Sequence, residues 1–576
     1  ISILEQHGSH VDLPYMESLL EPNSALRKSL NETINKLKSL SSVQAVNKRL
    51  LRASGVSTGS LFGGPSTWVF SLAKPAHRLA LFIDQLKLEP VSLTQKKKEP
   101  QIDTKFYKTY KDDYAEVSLA LDYQEITKLL STYVKGWIKK LRSSPDGVKD
   151  SRFRASYRFF YIVTGRLASF DPNHQNIPSR GSKAKAIKRM FRAPKGYFQV
   201  RADCRAHEVR MWAIFARDSN LIDVFLTGLK LRQKLVLAYD AKERTALLEE
   251  LKKKGDVHIV TVYSIFKVWV DKTHVLRHTI KGIVFGQIYG LGLMSLANVI
   301  RLSKIQALEQ DLARATEGKK EMEAQLLVLR EQDAKDFKEE AQDVVRKMWE
   351  QFGVGRDYLE KVAAQATERC AVNSWTGRKR SMFRVLTGKS DQVAAAQRRG
   401  KNGPIQGVAS EIGMSGTHLA IKAYDIFKRE TKYSPKTVVL FTRVVHDASY
   451  FEIPYADLIP FLWCYQYMAT FGVAERFNRD YQIEFPVPPE IDVEVSITED
   501  DGEDWDLTLL GLRSLIEATL DKQVAIGDLS KDDRQSALDT ILAPARDRKL
   551  FKLLQQQFPL LNVKELNQGV IDQLVH

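Results

Sequence analysis

At 576 residues the chain exceeds one ordinary hydrophobic core, so two to four lobes are expected. Lys and Arg number 87 against 70 Asp and Glu, a net charge of +17 that favours a polyanionic partner, nucleic acid or a membrane surface. The three cysteines, Cys204, Cys370 and Cys464, lie far apart with no CxxC pair, which argues against a disulfide framework or a zinc knuckle and for a reducing compartment.

The chain opens "ISILEQHG", with neither an initiator Met nor a basic-then-apolar leader, so it reads as a fragment without a signal peptide. Residues 23 to 53 are mostly helix-period and rich in Lys and Arg, and "SGVSTGSLFGGPS" from 54 breaks them as a flexible link. A second basic patch, "TQKKKEP", begins at 94; such runs are equally readable as a solvated face. From 153 the pattern turns to short β-rich runs: "YRFFYIV", "YFQVRAD" and, much later, "TVVLFTRVVHD" followed by "SYFEI". Between them, 208 to 400 is dominated by helical periodicity, so a sheet is expected to be split by a long helical insertion.

Two charged stretches stand out inside it, 231–255 and 304–337. In the second, Ile305, Leu308 and Leu312 form one apolar stripe and Met322, Leu326 and Leu329 another across "EGKK", which predicts an αα-hairpin. "LIPFLWCYQYMATFGVA" from 458 is interrupted by Pro460 and Gln466 and predicts a buried helix rather than a membrane span; with no run of eighteen apolar residues anywhere, a soluble protein is expected. After the acidic "TEDDGEDWD", residues 513–576 predict an amphipathic helical tail.

Asp203 closes one predicted strand and Asp447 sits at the tip of a predicted hairpin. Each alone is an ordinary turn residue. Together, in a basic protein, they suggest two oxygen ligands for magnesium, which takes one or two carboxylates and completes its shell with water and phosphate. Two ions held about 4 Å apart would stabilise attacking and leaving oxygens in phosphoryl transfer. In "RHTIKGIVFGQIYG", Arg277, Lys281, Phe285 and Tyr289 recur every four residues, so each advances only about 40° around a helix. That face reads either as surface cations beside core aromatics, or as two cations for a triphosphate and two rings for a sugar and base. "GQIYGLG" as a phosphate cradle is a weaker reading, because no strand precedes it.

Four segments in order resemble the motifs of family A DNA polymerases, the DNA polymerase I family with its phage replicative members: "TGRLASFDPNHQNIPSR" (164–180), "DCRAHEVR" (203–210), "RHTIKGIVFGQIYG" (277–290) and "VVHDASYFEI" (444–453). A fifth, "RRGKNGPIQGVASEI" (398–412), is similar to the segment lying against primer and template, and "EQHGSHVDLPYMESLL" to the start of the polymerase portion.

The resemblance implies an α+β right-hand fold with an antiparallel-sheet palm, helical fingers and a helical thumb. Its parts would be 1–152 (palm edge and thumb), 153–227 (palm), 228–397 (fingers, with insertions 231–255 and 304–337), 398–512 (palm) and 513–576 (C-terminal helical extension). It implies a template-directed DNA polymerase adding dNTPs to a primer 3′ end by a two-metal-ion mechanism, with Mg²⁺ as the cofactor and Mn²⁺ as a substitute. Asp203, Asp447 and the carbonyl of Cys204 match the metal ligands, and Lys281 joins the two aspartates as a catalytic group. Arg277, Lys281, Phe285, Tyr289, Glu208 and His258 match dNTP contacts; Glu208 would crowd the sugar 2′ position, and Phe285 implies discrimination against dideoxynucleotides. Arg166, Asn173, Gln175, Asn176, Arg398, Asn402, Gln406 and His446 match residues along primer and template.

Departures are Ala448, where the family usually has glutamate, and Arg205, Ala206 and His207 after the first aspartate. The resemblance implies primer-template DNA and dNTPs as partners, a helicase or processivity factor meeting the fingers insertion or the tail, no membrane, and a bacterial or phage-infected bacterial cytoplasm. No exonuclease motif precedes the polymerase segments, so no proofreading is expected in this chain. The competing readings are a single-subunit RNA polymerase and a catalytically weak primer-template-binding scaffold.

Overall fold

The computed structural model describes residues 1–576 except 54–67, 95–98, 160, 179–180 and 434–436. The expected link from 54, most of the basic patch at 94, Phe160 of "YRFFYIV" and the end of "NIPSR" therefore lie outside the described residues.

Five strands make one antiparallel sheet in the order Glu503–Asp504, Ile491–Ser496, Tyr197–Cys204, Ala448–Pro454, Leu440–Val445. Alternation explains the central strand: Phe198, Val200 and Ala202 are buried, and the other face carries Arg201 and Asp203 to the sheet's end. "TVVLFTRVV" and "SYFEI" form the expected hairpin, with His446 in the turn at φ 55.

Two expectations need correction. "YRFFYIV" does not join this sheet; only Ser156–Arg158 is extended, pairing with Ala168–Phe170 in a separate two-stranded ribbon. Tyr161 and Val163 are exposed, so this run lacks the buried second face that a central strand needs. Ile491–Ser496 was not anticipated, although Ile491, Val493 and Val495 alternate with Asp492 and Glu494 as a half-buried strand does.

The apolar face of the sheet rests on the helix Leu458–Tyr467 and on Ser390–Thr431, a 42-residue helix. Helices of the tail, Leu509–Ala525, Lys531–Arg546, Arg548–Gln557 and Gln568–Val575, close the same core. Trp463, fully buried, meets Trp505 at 5.9 Å and Phe551 at 5.7 Å. Burying side chains of this size contributes roughly 1.5–3 kcal/mol each, so the tail is part of this core.

A second core, including Met211, Trp212, Ile280, Val284 and Phe352, joins helices His207–Ala216, Val275–Ile288 and Gly353–Glu368. From it project Leu293–Arg314 and Lys319–Glu331, the expected αα-hairpin, turned at Gly318 (φ 69) and tied by Arg330 to Glu309 at 2.8 Å. The 231–255 stretch is the end of Ser219–Leu237 followed by Ala241–Lys254, a helix with no buried residue. Among the described residues no helix is long and apolar enough to cross a membrane.

Candidate active site

Sheet register brings the acids together. Asp203 stands opposite Ala448 on one side and opposite Asp492 on the other, and Asp447 immediately precedes Ala448. Like charges directly opposite in an antiparallel pair repel. Each acid here holds an arginine: Arg201 on Asp203, Arg205 Nε on Asp492 at 2.8 Å, and Arg166 Nη2 on Asp447 at 3.3 Å. Burial pushes the Asp203 carboxyl above its usual range, Arg201 opposes this, and Asp492 and Asp447 push it further up. The Cys204 thiol is pushed well up by burial, which keeps it neutral.

Among the described residues no group of three or more His, Cys, Asp or Glu has the geometry of a metal site. Among the hard oxygen donors lining the cavity are the carboxylates of Asp203, Asp447 and Asp492. That set suits Mg²⁺, which leaves much of its shell to water and phosphate, and crowded acids that raise Asp203 are the environment a divalent cation would relieve.

Facing the acids across a cavity of about 410 Å³ is the helix Val275–Ile288. Ile280, Ile283 and Val284 anchor its inner side, so Arg277, Lys281, Phe285 and then Tyr289 line the cavity with Asp203 and Asp447. Phe285 and Tyr289 lie 5.8 Å apart, and Lys281 Nζ is 5.9 Å from the Phe285 ring centre. Arg277 is clamped by Asp256 through Nε at 3.1 Å and Nη2 at 2.6 Å. Asp256 also caps the helix Val257–Phe266, accepting from the backbone N–H of His258 at 2.9 Å and Ile259 at 3.2 Å. The His258 ring is buried 6.0 Å from Phe285, and burial pushes its pKa down to about 4 against the pull of Asp256, so the imidazole is neutral.

Glu208 ties four segments together. Buried in the first turn after Asp203, it accepts from Arg166 at 2.7 Å, the Tyr289 hydroxyl at 2.5 Å and Gln406 Nε2 at 3.3 Å. Burial and Glu208 push the Tyr289 phenol up, so it donates.

Seven residues matched to primer and template do not line this cavity, Gln406 reaching it only through Glu208. Asn173 caps the short helix His174–Asn176 through its Oδ1, and Gln175 Nε2 donates to the carbonyl of Leu167 at 2.8 Å. The Asn176 carbonyl accepts from Tyr133 at 2.6 Å. Arg398 and Asn402 sit on the 42-residue helix, Arg398 exposed and packed against Gly290 (φ 69), and Asn402 with its buried Oδ1 unpartnered. His446 is exposed beside Asp447, over a small cleft with Ser410 and Gly413. Sequence reasoning missed Asp256 and Asp492. Asp256 was legible as an N-cap before "VHIVTVYSIF", and Asp492 only through the strand it rides on.

An antiparallel sheet ending in acids, faced by a helix of cations and rings and flanked by amides on a long helix, is the plan of a right-hand nucleic-acid polymerase. The fold matches the solved "POL domain of Pol1 from M. smegmatis complex with DNA primer-template and dNTP", with a TM-score of 0.55 and 21% identity over 87% of this chain and 68% of that one. The profile of DNA polymerase family A matches residues 68–312, a span that includes Arg166, Asp203 and Lys281.

DNA polymerase I of Pseudomonas aeruginosa is 25% identical over 67% of this chain and 34% of its own length. For Chloroflexus aurantiacus the figures are 27%, 67% and 32%, and for the thermostable enzyme of Thermus aquaticus 24%, 74% and 40%. This chain spans about a third of the length of such relatives. Over residues 68–312 it is similar to the family A DNA polymerases, and its fold is similar to that of a polymerase domain.

Proposed function

We propose that this chain copies a DNA template by adding deoxynucleotides to a primer 3′ end, with Asp203 and Asp447 as the carboxylates that hold two Mg²⁺. The single observation behind this reading is that both acids share a cavity of about 410 Å³ with Arg277 and Lys281. Bound there, the ions supply Lewis-acid stabilisation of the attacking and leaving oxygens, and Mn²⁺ would serve in their place.

The chain's own groups do the rest. Arg277 and Lys281 bind the triphosphate, and Lys281 hands a proton to the departing pyrophosphate. Phe285 and Tyr289 pack against sugar and base; neutral His258 donates to a phosphate oxygen. Glu208 fills the space a ribose 2′-hydroxyl would need. Arg166, Arg398, Asn402, Gln406 and His446 line primer and template, where the minor groove offers an acceptor at every correct pair. Asn173, Gln175 and Asn176 lie along primer and template with them. Duplex is gripped through phosphates by the basic helices between 20 and 150, so affinity falls with salt. Replication proteins would meet the exposed 304–337 hairpin rather than the tail, whose apolar face is already covered, and the setting is a bacterial or phage-infected cytoplasm.

The test is primer extension with dNTPs or rNTPs supplied separately, with and without Mg²⁺. Extension with dNTPs only, dependent on Mg²⁺, is expected, and Glu208→Ala should raise rNTP use at least about tenfold relative to dNTP. Extension with rNTPs by the unaltered chain would make it an RNA polymerase. Tight primer-template binding with no extension under either metal would make it a scaffold.

A further inference from the structure

A second cavity, of about 470 Å³, lies at the far end of the helix that begins beside Glu208. Its wall is Trp375, in the turn between the short strands Ala371–Asn373 and Lys379–Ser381. One face of the indole is stacked on Phe215, ring centres 4.7 Å apart and planes 10° from parallel, yet Trp375 remains 45% exposed. A ring fixed on one face and open on the other is a ready stacking platform.

Around it the cavity presents Lys361, Arg369 and Lys379, no acid lines it, and none of the three cations has a carboxylate partner among the described residues. Tyr358 adds a second ring, its hydroxyl 3.4 Å from the Trp375 indole nitrogen. Open aromatic surface among unneutralised cations is the chemistry that holds unpaired nucleic acid: bases stack, and phosphates meet the charges.

Its place is also defined. Arg378 in the same turn pairs with Glu411 at 2.7 Å, on the helix that carries Asn402 and Gln406. Its guanidinium packs on Gly165 (φ 83), where any side chain would collide with it, one residue from Arg166. Phe215 lies seven residues beyond Glu208 on one helix, so the platform is about 10 Å along that axis from the proposed nucleotide pocket.

We propose that Trp375, with Lys361, Arg369 and Lys379, forms a binding site for an unpaired DNA strand, namely the template ahead of the insertion point. The identity of the strand rests on the polymerase reading above. The site stacks one base on the indole and neutralises the adjoining phosphates.

The test compares two substrates of one sequence, a primer-template with a ten-nucleotide 5′ template overhang and the same duplex blunt, by fluorescence anisotropy with the whole chain. Trp375→Ala should weaken binding of the overhang substrate about tenfold and leave the blunt duplex within twofold. Trp375→Phe, which keeps a ring, should recover most of the loss. Lys361→Glu with Lys379→Glu should lower the salt slope by about two for the overhang substrate alone. Equal weakening of both substrates by Trp375→Ala, or none in either, would overturn the proposal. Primer extension by the unaltered chain, run in parallel, separates the two ideas: overhang-dependent binding lost with Trp375 but no extension would sink the polymerase reading and keep this site as one for single strands.

Discussion

The two walls of the active-site cavity carry their charge in different ways. At the sheet end, Asp203, Asp447 and Asp492 are each held by an arginine. On the helix opposite, Arg277 is clamped by Asp256, while Lys281 has no carboxylate partner among the described residues, only the Phe285 ring near it. A charge already paired must exchange partners before it can hold a ligand, whereas Lys281 can meet a polyanion at once. Groups that look alike in sequence, two cations one helical turn apart, thus differ in what they give up on binding.

The comparison breaks most clearly at the sheet. Asp203→Ala or Asp447→Ala should cut primer extension by on the order of 10³ or more while duplex affinity stays within a few-fold, read by single-turnover kinetics beside anisotropy. Retained extension in either variant would remove the two-ion assignment.

Next in size, Lys281→Ala should lower kcat by roughly 10²–10³ with little change in thermal stability. Asp256→Asn keeps the helix cap and removes the clamp on a mostly buried Arg277. It should cost about 1–3 kcal/mol of stability and raise the dNTP KM several-fold, with kcat less affected. If Lys281→Ala proves the more destabilising of the two, the contrast between paired and unpaired cations fails.

The smallest effect concerns a buried neutral group away from the chemistry. His174 is fully buried among Trp137, Phe153 and Phe191, both ring nitrogens unpartnered, and burial pushes its pKa down to about 3. Above pH 6.5 neither state is protonated and nothing changes; below it the unfolded chain takes up a proton that the folded chain refuses, so stability falls as pH drops. At pH 5 the loss from this residue is about 2 kcal/mol. Urea titrations at pH 7 and pH 5 should show that difference, and His174→Phe should shrink it.

What the sequence made legible was local. Strand alternation around Phe198 and Val200, the paired stripes Ile305/Leu308/Leu312 and Met322/Leu326/Leu329, and the four-residue spacing from Arg277 to Tyr289 each follow from one element's own periodicity. Long-range pairing was legible only in part: the strands of Asp203 and Asp447 were expected in one sheet and pair there, while the strand of Asp492 was not expected. Asp492 sits 289 positions beyond Asp203, and only register places them opposite one another. "YRFFYIV" has strand composition, yet its exposure on one ribbon keeps it from the sheet. Asn173 and Gln175 were read as groups along primer and template, and what the sequence did not reveal is that Asn173 Oδ1 also caps a short helix and Gln175 Nε2 also holds the carbonyl of Leu167.

The 42-residue helix Ser390–Thr431 runs for roughly 63 Å and carries in sequence Arg398, Asn402, Gln406, Glu411 and Thr417, the last bonded to Ser449 on the strand that follows Asp447. One residue inserted between Gln406 and Glu411 would swing everything beyond it by 100°, turning Glu411 away from Arg378 and Thr417 away from Ser449. The same insertion at 315–318 would merely lengthen an outlying turn. Length polymorphism among descendants of this gene should therefore collect in that turn, and the helix should keep a strict residue count even where its side chains drift.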